Sequence, residues 1–207
     1  MSLMENVIMV TFPVQSQAYQ AFSQIKNDSV NSAYTVLQMA VIKNEDGKIS
    51  AVDGFDSGVD SSNDTVTGGL VGSIIGILGG PWGVLLGFSI GLLAGSIMDT
   101  NDVSDNSSLI EYASQELQSG QTAIIALVQE SDEAAFDLRL HGFDCKIKRF
   151  DAAVIADEVE QAEASQKQLA KDAREKLREQ KCADRKKEIE NKRAEIRKKF
   201  DEITKRA

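Results

Sequence analysis

The sequence predicts an α+β protein: a ferredoxin-like, antiparallel-rich sheet with helices, an inserted glycine-zipper helical hairpin and a long charged C-terminal helix. Three observations lead to this prediction. Short apolar runs alternate with amphipathic segments along the first 150 residues. Residues 65–98 carry no charge and hold ten of the fifteen glycines. Residues 152–206 contain neither glycine nor proline and are dense in charge.

The N-terminal segments predict the order strand, helix, strand, strand. Residues 7–12 form an apolar, β-branched run typical of a buried strand, and residues 16–28 have apolar positions at helical spacing. Residues 33–43 and 48–55 are strand-like, and the Asn-Glu-Asp-Gly sequence at 44–47 supplies a tight turn between them. These two strands are therefore expected to pair as a hairpin.

The segments after the glycine-rich block predict the order helix, strand, helix, strand. Residues 108–117 and 131–141 are expected to be helical, residues 122–128 form a continuous apolar strand, and residues 143–148 alternate between apolar and polar side chains. The expected helix caps are Ser108 with Glu111, Ser131, Gly120 and Gly142. Without the insertion, this order approximates a ferredoxin-like split β-α-β unit with an added helix and strand, so residues 1–150 are predicted to form one α+β domain.

Residues 151–207 are predicted to form a charged helical tail. Residues 1–164 contain 7 Lys/Arg and 23 Asp/Glu, a charge of −16, whereas residues 165–207 contain 16 Lys/Arg and 9 Asp/Glu, a charge of +7. Opposite charges four residues apart support a long solvent-exposed helix. Its apolar stripe is thin, so a short coiled coil and a helix that simply extends from the body both stay open.

The glycine-rich block predicts two closely packed helices. Its glycines fall in two sets with four-residue spacing, and each set lies on one face of a helix: Gly68, Gly72, Gly76 and Gly80, then Gly83, Gly87, Gly91 and Gly95. Such a strip lets another helix approach closely. The sequence at 79–83, Gly-Gly-Pro-Trp-Gly, separates the two helices because a helix interior does not tolerate proline. A flexible linker is disfavoured because Leu, Ile and Val fill the gaps.

The sequence of the hairpin is compatible with two environments, a membrane and the interior of a soluble oligomer. Each arm has about 15 residues, whereas a bilayer crossing needs about 20. Aspartates flank the block on both sides, and no basic residue lies near either end to anchor it at a membrane. Trp82 at the turn is the candidate interface anchor. The sequence therefore favours either partial insertion or peripheral membrane contact, or burial of hairpin against hairpin in a soluble oligomer.

The apolar first strand, the split α+β body and the inserted hairpin with G-x-x-x-G spacing resemble a family of uncharacterised bacterial glycine-zipper proteins. The resemblance covers roughly residues 7–150 and rests on the glycine register and the order of elements. Members are described as predicted membrane proteins or stress-associated proteins, so the resemblance implies this architecture and a bacterial origin. It supplies no catalytic residues, and it does not extend to the charged tail.

Three side chains are candidates for chemistry, and none of them is interpreted as a functional group. His141 is the single histidine and is expected at a helix end, where the helix dipole favours it. Cys145 lies on the apolar phase of the last strand and is expected to be a buried thiol. Cys182 lies between basic residues of the tail and is interpreted as incidental. No catalytic site is predicted.

Ligand-binding motifs are also weak. An acidic loop offers oxygen atoms for calcium but lacks the spacing and the distal glutamate of an EF-hand; it consists of Asp53, Asp56, Asp60, Asn63 and Asp64. The glycines at 68–72 lack the lysine of a phosphate-binding loop. Glutamates interleave the basic tail, so we expect no nucleic-acid partner, and no metal or cofactor is predicted.

The leading hypothesis is a cytoplasmic, non-enzymatic assembly protein that self-associates through the glycine-zipper hairpin, with peripheral or conditional association with a membrane surface. The expected partner is a second copy of the chain. The alternative is a module that binds or senses a small ligand in a pocket of the α+β body. An enzyme is the weakest hypothesis, because no cluster of His, Cys or paired acids is visible.

Overall fold

A computed structural model describes residues 3–58, 69–80 and 108–204. These residues form an α+β protein with a five-stranded antiparallel sheet and a long C-terminal helix, which confirms the predicted class. The strands are β1 (Met4–Phe12), β2 (Tyr34–Glu45), β3 (Lys48–Asp56), β4 (Thr122–Glu130) and β5 (Lys146–Asp151). The helices are α1 (Gln15–Asn27), α2 (Gly69–Gly79), α3 (Leu109–Glu116), α4 (Glu133–Leu140) and α5 (Ala152–Thr204).

The strands are interleaved in the sheet, which has the order β3-β2-β4-β1-β5. Strand β4 pairs with β1 on one side and with β2 on the other, and both pairings are antiparallel. Strand β1 likewise lies between β4 and β5. The units β1-α1-β2 and β4-α4-β5 therefore each have their two strands separated by a strand of the other unit, and β3 extends the sheet beyond β2.

Helices cover both faces of the sheet. On one face, α1 and α4 pack against side chains of the central strands such as Ile124 and Val128. On the other, which we call the zipper face, α2, α3 and the first turns of α5 pack against neighbours such as Ile125 and Leu127. Since β4 is buried on both sides, its continuous apolar run is explained by its position rather than by parallel pairing.

A two-residue turn joins β2 and β3, with positive φ angles of 52° at Asp46 and 83° at Gly47, as the predicted tight turn requires.

The two edge strands carry features that discourage the addition of another strand to the sheet. Strand β3 then contains a bulge, because Val41 pairs with Asp53 and Ile42 with Ala51, which leaves Val52 unmatched. The other edge strand, β5, is rich in lysine and arginine. Bulges and charges are common protections of exposed edges.

Of the four predicted helix caps, two were wrong and two were confirmed; one of the confirmed pair is Gly142, which directly follows His141, the C-cap of α4. Ser108 caps α3 as expected, since its Oγ accepts a hydrogen bond of 3.1 Å from the Glu111 amide. The N-cap of α4 is Asp132 rather than Ser131, because the Asp132 carboxylate accepts from the Ala134 amide at 3.0 Å. Gly120 does not end α3, which stops at Glu116. It takes a positive φ of 85° in the turn before β4.

A carboxylate from α5 also closes the start of α3. Glu158 accepts hydrogen bonds from the backbone amides of Leu109 at 3.1 Å and Ile110 at 3.2 Å, and from the Ser108 hydroxyl. These amides belong to the first turn of α3, where no carbonyl of the same helix is available to them. Glu158 therefore ties the start of α3 to the first turns of α5.

Replacing Glu158 with glutamine is expected to lower the free energy of unfolding by about 1–2 kcal/mol, because a charged cap becomes a weaker neutral acceptor. Urea unfolding of Glu158→Gln would measure the loss. Glu160→Gln is the matched control, since Glu160 is exposed on the same helix. Equal stabilities of the two variants would contradict the capping role.

Candidate functional site

Helix α2 is the first arm of the predicted hairpin. Its two sides differ in the size of their side chains rather than in their polarity. Its aliphatic side chains are buried on the zipper face; they are Leu70, Val71, Ile74, Ile77 and Leu78. Gly72 and Gly76 face the other way and are exposed. A Cβ atom added at either glycine meets no described atom within 4 Å. We call Gly72 and Gly76 the glycine strip.

Both ends of α2 are held by the β2–β3 hairpin. At the N-terminal end, the Gln38 side chain accepts a hydrogen bond from the Val71 amide at 3.3 Å and donates to Asp56 at 3.2 Å. At the C-terminal end, a Cβ on Gly79 would lie 2.4 Å from the Ile49 carbonyl oxygen. Only glycine permits this approach, so α2 lies directly on the backbone of β3.

Replacing Gly79 with alanine is expected to destabilise the protein by about 1–3 kcal/mol, because the helix must move off β3 to make room. Gly54→Ala is the control: its nearest obstacle, the Met39 carbonyl oxygen, is 4.0 Å away, so no loss is expected. Thermal unfolding would compare the two. A stabilised Gly79→Ala variant, as helix propensity alone predicts, would show that the contact is not rigid.

A groove of about 540 Å³ runs beside α2 on the zipper face. Its floor is made of small residues of β2 and β3, including Ala40, Ala51 and Gly54, and α2 contributes Gly72 and Ile75. Val52, on the bulge of β3, is 49% exposed at its rim. The groove is thus an open, mostly apolar channel that adjoins the glycine strip.

The aspartates near this groove accept hydrogen bonds from backbone amides of neighbouring residues. Asp53 accepts a hydrogen bond from the Gly54 amide, and Asp56 accepts from the Gly58 amide, both at 2.8 Å. Asp60, Asn63 and Asp64 lie outside the described residues. Within the described part of the chain, no group of three or more His, Cys, Asp or Glu side chains is arranged to hold a metal ion.

The single histidine and the two cysteines belong to different parts of the fold: the end of α4, the segment before β5, and α5. His141 is the exposed C-cap of α4, as expected from its position. Cys145 is half-buried just before β5, and burial, followed by the charges of Asp144 and Asp137, raises the pKa of its thiol. A raised pKa reduces the thiolate fraction and hence the reactivity of Cys145. Cys182 is exposed on α5.

A buried ion pair is the feature that sequence reasoning missed. The Glu130 side chain is fully buried at the end of β4, and Arg149 of β5 donates to its two oxygens at 3.1 and 3.2 Å. Asn6 donates to Glu130 at 3.0 Å, and Arg149 also binds Asp137 at 2.6 Å. Every oxygen of Glu130 has a donor, so the arrangement is that of a structural pair rather than of a catalytic acid.

Most of the other residues of the predicted zipper are not described by the structure. Gly80 is half-buried after α2, whereas Gly68, Trp82, Gly83, Gly87, Gly91 and Gly95 are outside the described residues. In the ranges 3–58, 69–80 and 108–204, no helix combines the length and the apolar character needed to cross a bilayer.

Comparisons with family models, with curated proteins and with solved structures found no match. The resemblance to bacterial glycine-zipper proteins therefore stays a prediction, and the candidate site rests on the geometry of this chain. That site is α2, with its buried aliphatic side, its bare glycine strip and the adjoining groove.

Proposed function

We propose that this protein is a non-enzymatic assembly protein whose copies associate through the glycine-zipper hairpin, with membrane contact that is peripheral or conditional. The proposal includes a ferredoxin-like body, supported by the two interleaved β-α-β units. The single observation that favours it most is the orientation of α2. An exposed strip of glycines in a helix is unfavourable by itself, and packing against another helix offsets that loss.

The same orientation supports protein assembly over insertion of the whole hairpin into a bilayer. Five aliphatic side chains of α2 are buried on the zipper face. Burying each such side chain contributes about 1.5–3 kcal/mol relative to exposure. Lifting α2 into a membrane would also uncover the apolar surface of the sheet beneath it. The burial of α2 therefore argues against α2 as a segment that contacts lipid.

Light scattering after gel filtration tests the assembly. The wild-type chain is expected to be a discrete oligomer, and the double variant Gly76→Leu, Gly87→Leu is expected to lose it because the added side chains fill the strips. Gly142→Leu is the matched control, since Gly142 is an exposed glycine far from the strip in sequence, with nothing within 4 Å of an added Cβ. A monomeric wild type would refute self-association.

Flotation with anionic vesicles, run on the same samples without detergent, tests the membrane part. Protein that stays at the bottom as an oligomer indicates an element that contacts only protein. Protein that floats indicates that the hairpin or the tail binds the membrane, and assembly through protein contacts alone is then refuted.

A small-ligand module is the second candidate, because the open groove beside α2 has a volume of about 540 Å³ and a mostly apolar lining. The fluorescent probe 8-anilinonaphthalene-1-sulfonate can report binding of a small apolar ligand in the groove. Saturable binding at one site, abolished by Ala51→Trp in the groove floor, would favour this function. Weak unsaturable binding that is insensitive to the substitution would argue against it.

A further inference from the structure

We propose that one face of α5 binds an anionic lipid surface. This face, which we call the basic face, consists of five exposed cations in the middle of the helix: Lys171, Arg174, Arg178, Lys181 and Arg185. The inference rests on the membrane contact in the proposed function, and it assigns that contact to the helix of the tail rather than to the hairpin.

The spacing of these cations places them in one row along the helix. Successive members are three, four, three and four residues apart, and residues at this spacing are neighbours on one side of a helix. The row extends about 21 Å along the helix axis, at 1.5 Å per residue. All five side chains are exposed, and none of them makes an ion pair with another described residue. Their charges are therefore available to a partner.

The acidic residues of the same segment lie in a different row. Asp172, Glu175 and Glu179 are also three and four residues apart. With 3.6 residues per turn, their row lies about a third of a turn away from the basic face. Acidic and basic residues that alternate along the sequence are thus separated on the surface of the helix, and no carboxylate interrupts the row of cations.

A row of apolar residues borders the basic face on the side away from the acidic row. It consists of Leu169, Ala173 and Leu177, which are four residues apart. Leu169 is 50% exposed and Leu177 is 53% exposed. One half of the helix surface over residues 169–182 therefore carries the apolar and basic rows, and the acidic row lies on the other half. The arrangement ends at Asp184, which falls on the apolar row.

An anionic lipid surface fits both of these rows. Anionic headgroups attract lysine and arginine, and the boundary between headgroups and acyl chains accepts leucine side chains, as in helices that lie in the membrane interface. A nucleic acid would be attracted by the cations alone and would leave the two half-exposed leucines in water. A helix bound in this way lies on the bilayer, which is the peripheral contact of the proposed function.

Vesicle binding by two charge-matched variants of the full-length chain tests the inference. The first variant removes three cations of the basic face: Lys171→Gln, Arg174→Gln and Lys181→Gln. The second removes three exposed cations of α5 that lie outside this face: Lys176→Gln, Lys186→Gln and Arg193→Gln. On mixed phosphatidylserine and phosphatidylcholine vesicles, the partition coefficient is expected to fall about hundredfold in the first variant, because each cation at the surface contributes about fivefold. The second variant, with the same net charge, is expected to lose less than about fivefold.

A leucine substitution separates lipid binding from nucleic-acid binding. Leu177→Gln is expected to lower vesicle binding about fivefold and to leave binding to a single-stranded DNA oligonucleotide unchanged. Leu138→Gln is the control, since Leu138 is 70% exposed on α4, outside the tail. DNA binding that requires the basic face, together with vesicle binding that is insensitive to Leu177→Gln, would assign the face to a nucleic acid and overturn the inference.

Three further results would overturn the inference. Equal losses in the two triple variants would show that net charge alone decides binding. Unchanged binding in both variants would place the membrane contact elsewhere in the chain, and the membrane contact of the proposed function would then stand without this assignment. A wild-type chain that binds no anionic vesicle would refute that membrane contact as well, whereas light scattering tests assembly independently.

Measurements on the wild-type chain cover the case in which a variant loses its helix, which far-ultraviolet circular dichroism would reveal. Binding is expected to disappear on vesicles of phosphatidylcholine alone and to weaken steeply as salt is raised, because salt screens exposed charges. Binding that persists under both conditions would show that anionic headgroups are not recognised, and the inference would fail.

Discussion

Replacing Arg149 with methionine is expected to destabilise the protein by about 3–5 kcal/mol, the largest effect of any single side chain discussed above. The reason is that Glu130, whose side chain is fully buried, would lose two charged hydrogen bonds and remain as a charge in the protein interior. Burial by itself would lower the pKa of Arg149, but the hydrogen bonds and charges of Glu130 and Asp137 outweigh it and raise that pKa. The arginine is therefore charged at all ordinary pH values.

Urea unfolding of Arg149→Met would measure this loss. Lys146→Met is the matched control on the same strand, because the ion pair of Lys146 with Glu116 lies at the surface, with the lysine side chain 70% exposed. Removing a surface pair costs about 0–1 kcal/mol. The double variant Glu130→Met, Arg149→Met should recover much of the stability, since no charge is then left buried. Similar losses in Arg149→Met and Lys146→Met would contradict the structural role of the buried pair.

Replacing Ile74 with alanine is the second large expected effect, a loss of about 2–5 kcal/mol. Ile74 is fully buried at the centre of α2, within the cluster on the zipper face. The alanine would leave a cavity between the helix and the sheet. The prediction bears directly on function, because a helix held in the core by this residue is part of the fold rather than a detachable membrane segment.

Ile75→Ala is the natural control, because it removes the same atoms from the next residue, which is only half-buried at the groove. Its loss should be clearly smaller than that of Ile74→Ala in chemical unfolding. If Ile74→Ala unfolds like the wild type, α2 contributes little to the core, and the argument against inserting the whole hairpin into a bilayer fails.

Local patterns predicted much of the architecture. The apolar run of β1, the periodicity of α1 and the Asp46-Gly47 turn are all properties of short segments, and each matches the structure closely. The cap of α4 was misassigned because Ser131 and Asp132 are adjacent and both suit a cap. The tertiary structure decides between them, since the Ser131 hydroxyl donates to the Ala33 carbonyl oxygen at 2.9 Å.

The sequence by itself determined the class of the elements, the four-residue glycine spacing, the charge difference between body and tail, and the end of α2 just before Pro81. It did not determine which side of α2 is buried, because a helix of glycine, leucine and isoleucine has no polar side that must face water. Nor did it reveal the pairing of Glu130 with Arg149 or of Glu158 with the start of α3. Those partners are 19 and about 50 residues apart, and only the folding of distant segments against one sheet brings them together.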